Sequence, residues 1–262
     1  MKTVNEFNKM KNEGKKISVV TCYDYWSACI IDESEIDAVL VGDSAAMVMH
    51  GFETTINAEV DMMVYHTAAV RRGLKNKFLI GDLPFFVHRK GLKFLMNVVE
   101  KFMKVGAQAV KIEGAEGHLD LIEHVVNSGV PVMGHLGLTP QSVNRFGGFK
   151  LQGNGNGAAN KLIDNAKSLE NAGCFSIVLE LIPAVVAEQI TESLAIPTIG
   201  IGAGPNTSGQ VLVLQDLLGM SGNFSPKFLR KYMNGNELIK DALNEYNSDV
   251  KQKSYPGINE SY

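Results

Sequence analysis

Eight short runs rich in apolar and β-branched residues recur along the chain, and each ends in Gly, Asp, Pro or another polar residue. They are "ISVVTCYD", "DAVLVGDS", "FLIGDLPF", "AVKIEGA", "VPVMGHLG", "FSIVLELIP", "IPTIGIGAG" and "QVLVLQDLLG". Runs of that length and makeup fit strands buried on both faces. Most of the stretches between them carry apolar residues at helical spacing, among them "NAEVDMMVYHTAAVRRG", "GLKFLMNVVEKFMKVG", "HLDLIEHVVNSG", "NKLIDNAKSLENAG" and "PAVVAEQITESL", several closing on Gly as a C-cap. Such alternation predicts an α/β fold with a parallel sheet covered by helices. Eight units within 262 residues favour closure into a (β/α)8 TIM barrel over an open doubly wound sheet. Residues 1–262 therefore read as a single barrel domain with two additions. A short helix in "MKTVNEFNKMKNE" is placed to plug one barrel end, and a C-terminal helical extension follows residue 224, with a break near Gly235. The stretch "GNGNG" at 153–157 reads as a mobile loop.

Composition narrows the partner. Lys and Arg number 25 against 28 Asp and Glu, a net charge of −3. With no basic block to attract nucleic acid or anionic lipid, a small-molecule partner is expected. Cys22, Cys29 and Cys174 are an odd set without CxxC or Cys/His zinc spacing, and read as reduced thiols of a cytoplasmic protein without a structural metal site. The N-terminal stretch lacks the apolar core of a signal peptide, and no later apolar run approaches the ~18 residues of a membrane span.

Against this background the polar residues inside the strands stand out. Asp43 closes the second run, Asp82 lies late in the third, Lys111 and Glu113 in the fourth, His135 in the fifth and Glu180 in the sixth. In a parallel barrel the C-terminal strand ends build the active site, while side chains along a strand alternate between interior and helical layer. Alternation groups Val39, Val41 and Asp43 on one face. It likewise groups Ile80 with Asp82, Lys111 with Glu113, Met133 with His135, and Val178 with Glu180.

Each residue has an ordinary structural alternative. Asp43 fits a turn or helix N-cap, Asp82 an Asx-turn before proline, Lys111 with Glu113 an internal ion pair, and His135 a hydrogen-bonded core or loop histidine. Taken together across five consecutive strands, they point to one binding mouth. Asp43, Asp82 and Glu113, with no cysteine and one imidazole near, suit a hard cation such as Mg²⁺. Such a cation prefers an anionic oxygen chelator such as an α-keto acid, whose adjacent C–H it acidifies. Glu180, across the mouth, is then available as a base.

The motifs "KMKNEGKKISVVTCYD", "VGDSAAMVMHG", "DLPF", "VKIEGAEG", "PVMGHLGLTPQS", "GGFKLQG", "VLELIP", "IPTIGIGAG", "GQVLV" and "YPGINESY" resemble those of the ketopantoate hydroxymethyltransferase family over nearly the whole chain. The resemblance implies a Mg²⁺-dependent (β/α)8 enzyme, usually a decamer. Such an enzyme moves a one-carbon unit from 5,10-methylenetetrahydrofolate onto 3-methyl-2-oxobutanoate and yields 2-dehydropantoate. On matching positions it implies that Asp43 and Asp82 hold the metal and, through it, the substrate, with Glu113 beside it or acting through water. Ser44 and Lys111 would bind the keto acid, His135 would contact polar groups of substrate or product, and Glu180 would abstract the proton.

The chain departs from the family at Ser208, where Asp is common, at Val87 and His88 after "DLPF", where Ser-Tyr is usual, and at Ala45 and Ala46. These bear on loop contacts and on the folate site. A Mg²⁺-dependent carbon–carbon lyase of the phosphoenolpyruvate mutase and isocitrate lyase type is the alternative. Such enzymes carry a catalytic-loop cysteine, and this chain has none between 30 and 173. A barrel kept only as a binding subunit is disfavoured because the candidate ligands and base are all present. A dinucleotide site at "GIGAG" fails for want of the third glycine and the later acidic residue.

Overall fold

A computed structural model describes residues 2–222 and 224–262, so that Met1 of the N-terminal helical stretch and Asn223 lie outside the described residues. All eight strand-like runs are strands: β1 (Ile17–Thr21), β2 (Ala38–Val41), β3 (Phe78–Asp82), β4 (Ala109–Glu113), β5 (Val132–Gly137), β6 (Ser176–Glu180), β7 (Thr198–Ile201) and β8 (Gly209–Leu212). They pair in parallel in sequence order, and β8 closes on β1 through Ile17↔Gly209 to Val20↔Leu212. The (β/α)8 barrel expected from strand count is thus the observed fold. The chain separates into two compact units, Met1–Val213, which holds the whole barrel, and Leu214–Tyr262.

Inside the barrel the lower layers are apolar. Val19, Ala38, Leu40, Phe78, Ile80, Ala109, Met133, Val178, Ile199 and Val211 form one buried cluster. Outward positions meet the helices: a Cβ on Gly81 would strike the Phe102 ring at 2.4 Å, and one on Gly134 would strike Leu169 at 2.8 Å. Asp82 and His135, one position further on, therefore face the interior, as alternation predicts.

The N-terminal plug is present. Helix Val4–Asn12 buries Phe7 completely, with edge-on ring contacts to Phe78 and Phe175 at the N-terminal ends of β3 and β6. Lys11 Nζ donates to the carbonyls of Thr191, Leu194 and Ile196 at 2.8, 2.6 and 2.8 Å. The ammonium thereby satisfies carbonyls ahead of β7 and closes the inactive face of the barrel.

Three expectations need correction. Val39 and Val41 do not share the interior face with Asp43, because Ala38 and Leu40 point inward instead. β2 ends at Val41, and a Cβ on Gly42 would lie 2.9 Å from Ser44 Oγ and 3.9 Å from Asp82 Oδ2. Asp43 thus reaches the mouth by the turn after the strand, where strand alternation no longer applies.

The stretch after residue 224 is not helical as far as Asn234. After a short helix at Leu214–Leu217, the long helix of the second unit is Gly235–Gln252, so Gly235 opens that helix where a break within a longer one is expected. Pro226, which lacks a donor, and Asn234 at φ −103 and ψ 59 are consistent with that late start. The "GNGNG" stretch is partly helical, since the helix following it runs Asn156–Asn171 and takes in Gly157.

One helix, Tyr25–Glu33, carries no readable pattern. Tyr25, Trp26 and Ile30 are exposed while Ala28 and Ile31 are buried, so apolar residues surround it and no stripe appears.

Candidate active site

The strand register sets the site. Asp82 ends β3 beside Lys111 of β4, Glu113 ends β4 beside His135 of β5, and Glu180 ends β6 beside Gly137. Because all these strands run parallel, their inward side chains emerge at one rim. Lys111 Nζ lies 2.8 Å from Asp82 Oδ1 and 3.6 Å from Glu113 Oε1. His135 Nδ1 lies 3.3 Å from Glu113 Oε1, and its Nε2 lies 3.3 Å from Glu180 Oε2. An unbroken line of charged groups, Asp82, Lys111, Glu113, His135 and Glu180, crosses the mouth.

Two candidates from the β2 loop join it. The Asp43 backbone N–H donates to Asp82 Oδ2 at 3.0 Å, and Ser44 Oγ lies 2.8 Å from the Tyr23 hydroxyl. All the candidate residues thus gather at the same rim. Gly137 makes this geometry possible: its φ is +95°, and a Cβ there would lie 2.1 Å from the Glu180 carbonyl oxygen.

Burial decides the electrostatics. Asp43, Asp82, Lys111, Glu113 and His135 are each 5 % exposed or less, whereas the Glu180 side chain keeps 17 % of its surface. Burial, then repulsion from Asp82 and Glu113, pushes the Asp43 carboxyl well above the usual range. Burial also raises Asp82, against the pull of Lys111. At Glu113 burial works upward, but Lys111 and His135 outweigh it and hold the carboxyl low. Lys111 is raised because Asp82, Glu113 and Asp43 overcome the burial that opposes its charge. His135, resisted by burial and by Lys111 but held by Glu113 and Glu180, rises to about 9.

Buried acids next to one another are costly unless a cation offsets them. Asp82 Oδ1 and Glu113 Oε1 are buried and make no well-directed hydrogen bond, although both face the Lys111 ammonium. No three acidic, imidazole or thiol groups among the described residues converge as a ready-made ion cage. Two carboxylates, Asp43 and Asp82, linked by a backbone hydrogen bond, suit Mg²⁺, which binds through one or two carboxylates and fills its remaining positions with water and substrate oxygens.

Sequence reasoning did not single out Gln141. Its backbone N–H donates to Glu113 Oε2 at 3.1 Å, and its side-chain amide donates to Asp43 Oδ2 at 2.9 Å and to the Leu83 carbonyl at 3.0 Å. It ties the loops after β2, β3 and β5 together. The sequence marks it only as a polar residue directly after "TP", where Pro140 opens a short 3-10 turn; its burial, at 5 % exposure, belongs to the folded structure. Above the rim a cavity of about 590 Å³ opens between the loops after β3, β4 and β5, with Glu113 and Gln141 in its wall.

A closed parallel barrel with buried acids and an ammonium at the C-terminal rim has the form of a barrel enzyme that acts on a small molecule. The sequence model described as ketopantoate hydroxymethyltransferase matches residues 1–258. A relative from Coxiella burnetii, called 3-methyl-2-oxobutanoate hydroxymethyltransferase, is 59 % identical over 254 residues, covering 97 % of this chain and 96 % of the relative. The chain belongs to the ketopantoate hydroxymethyltransferase family and is a transferase.

The fold is also that of two solved structures. A phosphonopyruvate hydrolase in complex with oxalate and Mg²⁺ superposes with TM-score 0.64 at 10 % identity, over 99 % of this chain and 93 % of that one. A 2,3-dimethylmalate lyase of the PEP mutase/isocitrate lyase superfamily gives TM-score 0.62 at 15 % identity, over 98 % and 91 %. Among the described residues no helix is long and apolar enough to cross a membrane.

Proposed function

We propose that this enzyme transfers the one-carbon unit of 5,10-methylenetetrahydrofolate to C3 of 3-methyl-2-oxobutanoate, forming 2-dehydropantoate on the route to pantothenate. The observation that carries the reading is the placement of Glu180. It is the least buried acid of the rim, held 3.3 Å from His135 and separated from Asp43 and Asp82 by Lys111 and Glu113. One carboxylate thus stands more open than the rest and apart from the pair assigned to the metal.

In this mechanism Asp43 and Asp82 would hold Mg²⁺, with Glu113 beside them, linked to Asp82 by the Lys111 ammonium. The ion, when bound, would polarise the keto group and acidify the neighbouring C–H. Lys111 and Ser44 bind the carboxylate and keto end of the substrate. Glu180 takes the C3 proton, and His135, protonated between Glu113 and Glu180, fixes the orientation of that carboxylate. The carrier's methylene–N10 bond opens, N10 taking up a proton, to give an iminium at N5; C3 attacks the methylene carbon as the C=N electron pair returns to N5. Water then cleaves the remaining N5–methylene bond, its oxygen staying on carbon as the hydroxymethyl group and a proton going to N5, which frees tetrahydrofolate.

The test is C3 proton exchange of 3-methyl-2-oxobutanoate in deuterated buffer with Mg²⁺ and no folate. Wild-type protein is expected to exchange the proton, and Glu180→Gln to slow exchange by at least ~100-fold while still binding the keto acid. Unchanged exchange in the variant removes Glu180 as the base.

The same reading places the protein in the cytoplasm, with a small-molecule keto acid and folate as partners and neither nucleic acid nor membrane. It also makes the protein a homo-oligomer, a decamer by resemblance. Exposed Trp26, Ile30 and Tyr65, at 61, 61 and 75 %, supply apolar surface of the kind that subunit contacts cover. Light scattering that returned a monomer mass would remove the oligomer.

A further inference from the structure

We infer that Gln141 is a positioning residue that makes the rim selective for Mg²⁺ over the larger Ca²⁺, by holding the carboxylates of Asp43 and Glu113 in one orientation. This rests on the proposed function, which gives the metal to Asp43 and Asp82, and adds what decides which ion they accept.

The restraint lies in how Gln141 uses its donors. A side-chain amide has two hydrogens, and that of Gln141 meets two acceptors, Asp43 Oδ2 at 2.9 Å and the Leu83 carbonyl at 3.0 Å. The amide is therefore anchored on both sides. Leu83 directly follows Asp82, and the Asp43 backbone N–H donates to Asp82 Oδ2 at 3.0 Å. Asp43 is thus tied to Asp82 twice, once through its own N–H and once through Gln141 and the Leu83 carbonyl, in a closed ring of hydrogen bonds. The Gln141 backbone N–H adds Glu113 Oε2 at 3.1 Å.

Each of the three acids consequently has one oxygen held: Asp43 Oδ2 and Glu113 Oε2 by Gln141, and Asp82 Oδ2 by Asp43. Among the described residues Gln141 makes the only hydrogen bond to the Asp43 carboxylate. With 5 % of its surface exposed, it works in a buried setting where water does not compete for these contacts.

Mg²⁺ takes oxygens at about 2.0–2.1 Å in near-octahedral geometry, whereas Ca²⁺ takes more of them at about 2.3–2.6 Å, in places both oxygens of one carboxylate. Ligands that accept Ca²⁺ must spread and turn. A carboxylate whose second oxygen is already held resists that turn, and two carboxylates joined by a ring of hydrogen bonds resist the spread. A Gln141 that only bridged loops would support both ions alike, while one that restrains carboxylates favours the smaller.

The test is calorimetric binding of Mg²⁺ and of Ca²⁺ to the full-length protein in saturating 3-methyl-2-oxobutanoate, read as the ratio of the two affinities. Two variants keep the length of the side chain and the backbone N–H to Glu113: Gln141→Met, which removes the amide donors, and Gln141→Glu, which sets a further carboxylate beside Asp43. Wild-type protein is expected to favour Mg²⁺. Gln141→Met is expected to lower the Mg²⁺ to Ca²⁺ ratio by about 10-fold or more, the scale of a lost outer contact to a metal ligand, and Gln141→Glu to bind Ca²⁺ more tightly than wild type does. A ratio unchanged in both variants, even with both affinities reduced, overturns the inference. Wild-type protein that binds Mg²⁺ and exchanges the C3 proton but shows no preference over Ca²⁺ also overturns it, and leaves the proposed reaction standing. Keto acid binding that ignores Mg²⁺ in the wild type removes the metal from the reaction and the inference with it.

Discussion

A lysine and a glutamate two positions apart in a buried strand are expensive to desolvate unless other charges share the cost. Lys111 meets Asp82, Glu113 and His135 within 3.6 Å, so each charge in the line is held by its neighbours. Removing one partner therefore affects more than one group. Asp82→Ala should abolish the Mg²⁺-dependent gain in keto acid affinity. Titrations with and without metal check this, and equal affinities in both proteins would remove Asp82 from the site. Gln141→Ala should leave Asp43 and the Leu83 carbonyl without their shared donor. It should cost about 1–3 kcal/mol of stability in denaturant melts and raise KM for the keto acid, without touching a group assigned to proton transfer.

Secondary-structure elements position these residues, and two places in them carry separable predictions. The N-terminal helix acts far from the chemistry. Phe7→Ala should destabilise the barrel by about 3–5 kcal/mol through loss of a fully buried ring, with the keto acid KM of the remaining folded protein unchanged. The junction of β5 and β6 behaves in the opposite way. A methyl at Gly137 collides with the Glu180 backbone, so Gly137→Ala should displace the proposed base and reduce kcat along with stability, which steady-state kinetics beside a urea melt would separate.

The elements also show what could be read from the chain. All eight strands and the inward aim of Asp82, Lys111, Glu113, His135 and Glu180 follow from apolar runs and period-two alternation. Asp43 reaches the mouth through a turn and not along a strand, so period-two alternation does not account for its place. Gln141 lies in a loop, where no periodicity marks which side chain folds inward. Helix Tyr25–Glu33 has no legible stripe because Tyr25, Trp26 and Ile30 are exposed opposite buried Ala28 and Ile31.

For the molecule as a whole, buried histidines couple stability to pH. Burial holds His88 down to about 3, and burial also lowers His118. The unfolded chain takes up protons on both rings near pH 6.5, whereas the folded chain does so only at lower pH. Their contribution is therefore present above about pH 6.5 and is lost as pH falls toward 3. The raised Asp43 and Asp82 carboxyls and His135 work in the opposite sense, so the test is the difference between proteins: between pH 7 and pH 5, His88→Gln should lose less stability in urea melts than the wild type does. An equal change in both would place the acid sensitivity elsewhere.

The amino-acid order alone determined the closed barrel, the identity of the charged strand-end residues and the family, because strand periodicity, strand number and contiguous motifs are local properties of a chain. Tertiary structure alone decided which of those charges touch. It brought Asp43 around Gly42 onto Asp82, set His135 between two glutamates, and gathered Arg89, Arg145 and Lys161 around one cavity. Residues distant in sequence meet only through strand register and loop path, and these are settled by packing the whole barrel, not by any segment of it.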